Sequence, residues 1–114
     1  MLDGWTTVAR ARDVVDGKPI RVEAGSVEVF LYRSGDRWFA LANRCSHQGG
    51  PLHKGRVTGG GQPTVTCPVH GSMFWLTDGR VVRGPATAPQ PVLDVREIDG
   101  MVEVRPRTTA GAVG

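Results

Sequence analysis

The chain has 114 residues, of which 14 are basic and 11 acidic, and its formal net charge is +3. This length predicts a single domain, because domains most often contain about 100–150 residues, and so weak a charge excludes a nucleic-acid-binding surface. The chain has no run of about 20 apolar residues, which excludes a membrane-spanning helix.

Short β-like runs account for the predicted secondary structure, since glycine and proline interrupt the chain too often for a long helix. Valines outnumber leucines, which also favours strands. The predicted strands, in chain order, are 5–9, 20–23, 27–32, 37–41, 64–66, 73–76, 80–82, 92–98 and 101–104. Ser34-Gly35-Asp36 and Asp99-Gly100 fit hairpin loops. We therefore expect an all-β fold.

Two segments are expected to be loops because glycine or proline dominates them. They are 47–62, which contains Gly59-Gly60-Gly61, and 84–91, which contains three prolines. The N-terminus lacks the run of about 7–15 apolar residues of a signal peptide, and two cysteines are too few for a stapled secreted scaffold. We expect a soluble cytoplasmic protein without a disulfide.

Two cysteine–histidine pairs carry the chemistry. Cys45-Ser46-His47 is a Cys-x-His pair and Cys67-Pro68-Val69-His70 is a Cys-x-x-His pair. Such a set could hold a [2Fe–2S] cluster, with two cysteines on one iron and two histidines on the other. It could instead form a structural zinc site, although zinc sites usually pair like ligands. The third reading is two buried free cysteines with unrelated histidines.

Residues 45–52 (CSHQGGPL) and 67–74 (CPVHGSMF) resemble the two cluster loops of Rieske proteins, and the similarity extends loosely over 5–104. The resemblance implies an antiparallel β-sandwich or barrel base with an inserted two-loop cluster-binding subdomain at about 44–76. The small, polar residues of 106–114 predict a flexible tail, and the resemblance implies a single domain over 1–105. It also implies that one [2Fe–2S] cluster is bound, its ligands being Cys45 and Cys67 on the buried iron and His47 and His70 on the exposed iron.

The chain differs from the respiratory-complex type of Rieske protein at three positions. Gly50 and Val69 stand where that type has two cysteines that form a disulfide, so this bridge is absent. Phe74 replaces a tyrosine whose hydroxyl bonds a ligating sulfur, whereas Ser72 can still donate such a bond. Hydrogen bonds to the sulfurs raise the reduction potential. We therefore predict a potential near the lower end of the Rieske range, roughly −150 mV. Trp75 stands where many relatives have aspartate.

The resemblance implies a Rieske-type ferredoxin, a one-electron carrier between a flavin-dependent reductase and a terminal oxygenase. The chain is not expected to be an enzyme, because oxygen activation needs two histidines and a carboxylate and only His53 is left over. One alternative is an accessory subunit of a nitrite-reductase-like oxidoreductase. Another, of a different class, is a zinc-stabilised interaction module.

Other residues have both functional and structural interpretations. We expect His53 to be a solvated loop residue, and Trp38 and Phe39 to pack in the core rather than to form a docking patch. Pro85 could shield the cluster or simply form a turn. The span 37–83 contains six basic residues and one acid. This excess could steer an acidic partner toward the protein or be a solvated surface.

Overall fold

The structure is a computed structural model that describes residues 4–46, 49–59 and 61–107. Strands form nearly all of its regular secondary structure, which confirms the predicted all-β fold. Two short 3-10 helices are present, Ala11–Asp13 and Leu52–Lys54. The strands are β1 (Thr6–Arg10), β2 (Ile20–Ala24), β3 (Val27–Ser34), β4 (Arg37–Ala42), β5 (Arg56–Thr58), β6 (Thr64–Thr66), β7 (Met73–Trp75), β8 (Val81–Arg83), β9 (Val92–Ile98) and β10 (Met101–Pro106).

Six strands form one antiparallel sheet in the order β1-β10-β9-β4-β3-β2. The two strands at the ends of this order, β1 and β2, contact each other, so the sheet is nearly closed into a barrel. Closure reduces the length of unpaired strand edge to which another chain could add. This sheet is the base on which the rest of the structure is built.

The other four strands form a smaller antiparallel sheet in the order β5-β6-β7-β8. All four lie in the chain between β4 and β9, so the smaller sheet is an insertion into the larger one. Both cysteines belong to this insertion, since Cys45 follows β4 and Cys67 follows β6. In the structure the insertion also includes β8, beyond the predicted 44–76.

One strand and both 3-10 helices were not expected from the sequence. Strand β5 and the 3-10 helix Leu52–Lys54 both lie in 47–62, which the sequence predicts to be a loop. Strand β5 has three residues and pairs Val57 with Val65 of β6. A run this short has too little alternation to be recognised without its partner strand.

Strand β10 runs through Pro106, and the Arg107 N–H donates to the Val92 carbonyl at 3.2 Å. The first two residues after 105 therefore continue the sheet. Residues 108–114 of the predicted tail lie outside the described residues. None of the helices in the described ranges is long and apolar enough to cross a membrane.

Strand β3 supplies side chains to two separate apolar clusters, which explains its alternating sequence. Val29 and Leu31 pack inside the barrel, whereas Phe30 and Tyr32 face the smaller sheet. All four side chains are buried. Successive side chains of a strand point to opposite faces, so β3 holds the two halves of the molecule together. The second cluster, between the sheets, contains both cysteines.

The Asp99-Gly100 turn between β9 and β10 has the predicted geometry. Both residues have positive φ, 52° for Asp99 and 78° for Gly100, as a type I′ hairpin turn requires. Glycine tolerates this conformation without steric cost, and aspartate is among the few other residues that adopt it readily.

Candidate metal centre

The two cysteines lie side by side in the apolar cluster between the sheets. Both are thiols rather than halves of a disulfide, and Cys45 and Cys67 are only 5% and 3% exposed. Their side chains are within hydrogen-bonding contact of each other. Leu52, Val65 and Phe74 belong to the same buried cluster. The two cysteine-bearing loops converge, as the cluster hypothesis requires.

Each cysteine begins a six-residue loop, and the same two backbone hydrogen bonds close both loops. The Cys45 N–H donates to the Gly50 carbonyl at 2.8 Å, and the Cys45 carbonyl accepts the N–H four positions on at 2.7 Å. The Cys67 N–H donates to the Ser72 carbonyl at 2.7 Å, and the Cys67 carbonyl accepts the N–H four positions on at 3.1 Å. That fourth position is a glycine with positive φ in both loops. The second loop thus repeats the backbone pattern of the first.

Backbone dipoles as well as apolar side chains surround the Cys67 sulfur. Burial raises the pKa of the Cys67 thiol, and the neighbouring Cys45 thiol raises it further, although hydrogen bonds from the Val69 and His70 backbone lower it. The net pKa of the Cys67 thiol is raised, so this thiol stays neutral in the absence of a cation. Metal coordination reverses this preference because it deprotonates a bound thiol. Two adjacent buried thiols therefore fit a site that a cation completes.

The histidine side of the site lies at the surface. His70 is exposed together with its neighbours Pro68 and Val69. His47 lies outside the described residues, so the structure places three of the four predicted ligands. Among the described residues, no three His, Cys, Asp or Glu side chains form a group that could hold a metal ion. A two-iron cluster does not require one, because its sulfur-bound and nitrogen-bound irons are different atoms.

The two loops touch each other at Gly50. A Cβ built on Gly50 would lie 2.7 Å from the Cys67 Sγ, 2.5 Å from the Val69 Cγ2 and 3.2 Å from the Val69 Cβ. These separations are too short for any side chain, so glycine is required here for close approach of the loops. Gly50 and Val69 are also the two positions at which the sequence analysis found no bridging cysteines, and the structure shows that they are in contact.

Hydrogen bonds from Gln90 hold the proline-rich segment 84–91 against the first loop. This residue was not predicted from the sequence. Gln90 is 2% exposed, and its Nε2 donates to the Ala42 carbonyl at 2.7 Å and to the Arg44 carbonyl. Its Oε1 accepts the Ser46 N–H at 2.9 Å. The Ser46 hydroxyl in turn donates to the Ala88 carbonyl at 2.8 Å. No local pattern marks Gln90, since its partners lie more than 40 positions away in the chain.

The same segment is fastened to the second loop through Ser72. The Ser72 Oγ is buried and accepts the Ala86 N–H at 3.0 Å. Ala86 itself belongs to the buried cluster that contains the cysteines. The Ser72 hydroxyl therefore has a structural partner in addition to its predicted role as a donor to a sulfur, which stays a prediction. Pro85 is exposed beside Ala86.

His53 is not a solvated loop residue, contrary to the sequence expectation. Its side chain is half-buried, and its Nδ1 accepts a hydrogen bond from the Nδ2 of the fully buried Asn43 at 2.9 Å. The His53 N–H donates to the Asn43 Oδ1, also at 2.9 Å. Burial lowers the pKa of His53, and the charges of Lys54 and Arg21 lower it further, against an opposing effect of Glu28. The contact with Asn43 was missed because it depends on tertiary packing.

The aromatic pair on β4 packs as expected. Phe39 is buried in the cluster between the sheets, and Trp38 packs against the barrel cluster. Among the basic residues of 37–83, Arg44 pairs with Glu28 at 3.0 Å and is mostly exposed. Exposed ion pairs contribute little to stability. The steering of an acidic partner stays a prediction.

The comparisons with known proteins agree with this geometry. The model of the Rieske [2Fe-2S] domain matches residues 4–102. The chain belongs to the Rieske family. Its [2Fe–2S] cofactor follows from that membership, which leaves the zinc and metal-free alternatives without support.

Individual Rieske proteins resemble the chain over most of its length. The anthranilate 1,2-dioxygenase ferredoxin subunit of Burkholderia cepacia is 31% identical over 100 residues, which are 88% of this chain and 90% of that protein. The ferredoxin of carbazole 1,9a-dioxygenase from Nocardioides aromaticivorans IC177 superposes with a TM-score of 0.82 at 25% identity, over 92% of this chain and 100% of that one. A chain from a complex of reduced oxygenase and oxidized ferredoxin in carbazole 1,9a-dioxygenase gives 0.81 at 29% identity, over 94% and 99%.

Replacing Gly50 by alanine should loosen the Rieske centre. The added Cβ must displace the Cys67 Sγ or the Val69 side chain, and overpacking of this kind costs about 1–3 kcal/mol. We expect a lower Tm and less iron and labile sulfide per chain than in the wild type. Gly59→Ala is the matched control, because a Cβ at Gly59 meets nothing within 4 Å. A Gly50→Ala protein with full cluster content and unchanged Tm would contradict the close contact.

His53 should make the stability of the protein depend on pH. Its folded-state pKa lies below its usual value of about 6.5, so the unfolded chain binds a proton more readily. The stabilisation is present above pH 6.5 and is lost as the pH falls through the lowered value. Between pH 7.5 and 5.5 the wild type should lose more Tm than His53→Gln, which cannot titrate. Equal losses would show that His53 does not contribute.

Proposed function

We propose that Cys45, His47, Cys67 and His70 hold the [2Fe–2S] cluster, and that the chain carries single electrons from a flavin-dependent reductase to a terminal oxygenase. The observation that carries the proposal is the pair of cysteine loops with one backbone pattern, whose thiols meet in the apolar core. When bound, the cluster supplies a centre that accepts and returns one electron. The proposed setting is the cytoplasm.

The ligand set favours acceptance of an electron. Two thiolates and two neutral imidazoles balance the charge of two ferric ions and two sulfides, so reduction takes the site from 0 to −1. Four thiolates would take the same step from −2 to −3, which is harder at low dielectric. The N–H groups of Val69 and His70 at the Cys67 sulfur stabilise the additional negative charge further.

The arrangement of buried cysteines and an exposed histidine suits transfer between proteins. The apolar side chains around Cys45 and Cys67 exclude water from the sulfur end. His70 instead lies at the surface next to the exposed Val69, where an incoming partner can approach the nitrogen end. This geometry favours a carrier that binds its donor and its acceptor in turn through the same surface, the one around His70.

The choice of partners rests on the proteins that the chain resembles. One of these is a ferredoxin subunit of a dioxygenase, and another comes from a complex of oxygenase with ferredoxin. These support an oxygenase as acceptor over the nitrite-reductase alternative. The chemically reduced protein should be reoxidised by a terminal oxygenase of the ring-hydroxylating class in the presence of that enzyme's substrate and oxygen. Failure with such oxygenases, but reoxidation by a nitrite reductase, would favour the alternative.

Substitution of the ligands tests the proposed site directly. Cys45→Ala, Cys67→Ala, His47→Ala and His70→Ala should each abolish the reddish-brown colour and most bound iron and labile sulfide. His53→Gln is the matched control and should keep both, because it changes the remaining histidine. Visible absorption with iron and sulfide analysis measures the outcome. A variant at a proposed ligand that retains an intact cluster would remove that residue from the set.

The reduction potential should lie near roughly −150 mV and should rise in Phe74→Tyr. Phe74 is fully buried in the cluster that contains both cysteines. It also stands where the respiratory-complex type has a tyrosine that bonds a ligating sulfur, so a hydroxyl added here, unlike one added at Phe39, is expected to donate to a sulfur. A hydrogen bond contributes about 0.5–1.5 kcal/mol, which corresponds to roughly 20–65 mV for one electron. Phe39→Tyr serves as the control. A clearly positive wild-type potential, or no rise in the folded Phe74→Tyr protein, would contradict the argument.

A further inference from the structure

A cavity opens where two neighbouring strands of the larger sheet separate. Strands β4 and β9 pair only at Ala40 with Leu93 and at Leu41 with Val92. Toward the start of β4 the strands diverge, and the gap forms a cavity of about 520 Å³. Small-molecule sites typically have volumes of roughly 300–1,000 Å³ and often lie in the mouths of β-barrels. The cavity adjoins the Arg37 end of β4, away from the end that leads to Cys45.

The walls of the cavity are suited to a flat apolar group. Trp5, Trp38 and Phe39 line it together with aliphatic side chains, among them Leu76. A ring placed against these surfaces would lose contact with water on the face that touches them. Burial of aromatic and aliphatic surface stabilises such a complex in proportion to the area removed from water.

The polar part of the cavity is cationic. Its charged residues are Arg37, Arg105 and Arg107 against the single carboxylate of Asp94. Asp94 accepts the Arg107 Nε–H at 2.9 Å and lies 3.4 Å from the Arg105 Nε. Arg37 forms no ion pair with a residue in the described part of the chain. Two positive charges are thus left without a counter-ion in the lining.

The two arginines near Asp94 are held in place but keep donors for a ligand. The Arg105 guanidinium lies 4.5 Å from the Trp5 ring centroid, and the Arg107 Nη1 donates to the Thr77 carbonyl at 3.2 Å. Their contacts with Asp94 use Nε in both cases. A guanidinium carries five N–H donors, which is more than these contacts use. Arginine donors that are already oriented bind carboxylates well, often through two parallel bonds.

We propose that this cavity binds a planar aromatic carboxylate, with its ring against the Trp38 wall and its carboxylate on Arg105 and Arg107. A neutral ring would leave the two excess positive charges without a counter-ion. A small inorganic anion would leave the apolar side chains of the lining exposed to water. The combination of an aromatic wall with a cationic edge therefore selects a ligand that has both parts. The site is separate from the metal centre and does not depend on the proposed electron transfer.

Calorimetric titration of the cluster-containing protein with benzoate tests the proposal. Benzamide, acetate and inorganic phosphate are the comparison probes, since each lacks the charge or the ring. We expect benzoate to bind at least about tenfold more tightly than any of the three, because a hydrogen bond to a charged group is worth about 1.5–3 kcal/mol. Equal binding of phosphate or acetate, or no heat from benzoate at millimolar concentration, would overturn the proposal.

Two variants of the intact protein locate the site. Arg107→Gln should weaken benzoate binding by at least about tenfold while the visible spectrum of the cluster is unchanged. Arg80→Gln is the matched control, because Arg80 is an exposed arginine paired with Asp78 at 2.8 Å and lies outside the cavity lining. Undiminished binding in Arg107→Gln would exclude this cavity, as would an equal loss in both variants.

Discussion

The contact between the two cysteine loops is the constraint on which the rest of the structure depends. Each loop is short and closed by the same pair of backbone hydrogen bonds, but neither has a core of its own. They are brought together because their cysteines are buried in the apolar cluster between the sheets, and because Gly50 has no side chain to keep them apart. The side chains of the smaller sheet pack around the cysteines, and the smaller sheet in turn packs against the barrel.

The division of the molecule into a base and an insertion follows from strand β3. Its four central side chains are apolar enough to be buried and alternate between two faces, so both faces must be covered. The barrel covers the face with Val29 and Leu31, and the insertion covers the face with Phe30 and Tyr32. An insertion packed in this way cannot move freely on its base, which keeps the metal centre in a fixed position relative to the barrel.

The sequence predicted the features that depend on local patterns. They include the cysteine–histidine spacing, the Asp99-Gly100 turn and most strands. A few neighbouring residues determine each of them. The strand and the side-chain contacts that it missed depend on distant partners. Strand β5 is defined by its pairing with β6, and His53 is half-buried only because Asn43 faces it. Gln90 could not be found because an isolated glutamine in a proline-rich segment has no distinguishing neighbours.

Segment 84–91 joins the rims of both loops, through Gln90 and Ala88 on one side and Ala86 on the other. Because several hydrogen bonds connect this segment to the loops, the surrounding amides and hydroxyls have little freedom to reorient. Dipoles that are already oriented stabilise an arriving charge without a further rearrangement. For the proposed electron carrier, the nuclear motion that accompanies each gain or loss of an electron is therefore small, and a small reorganisation barrier favours rapid exchange with its partners.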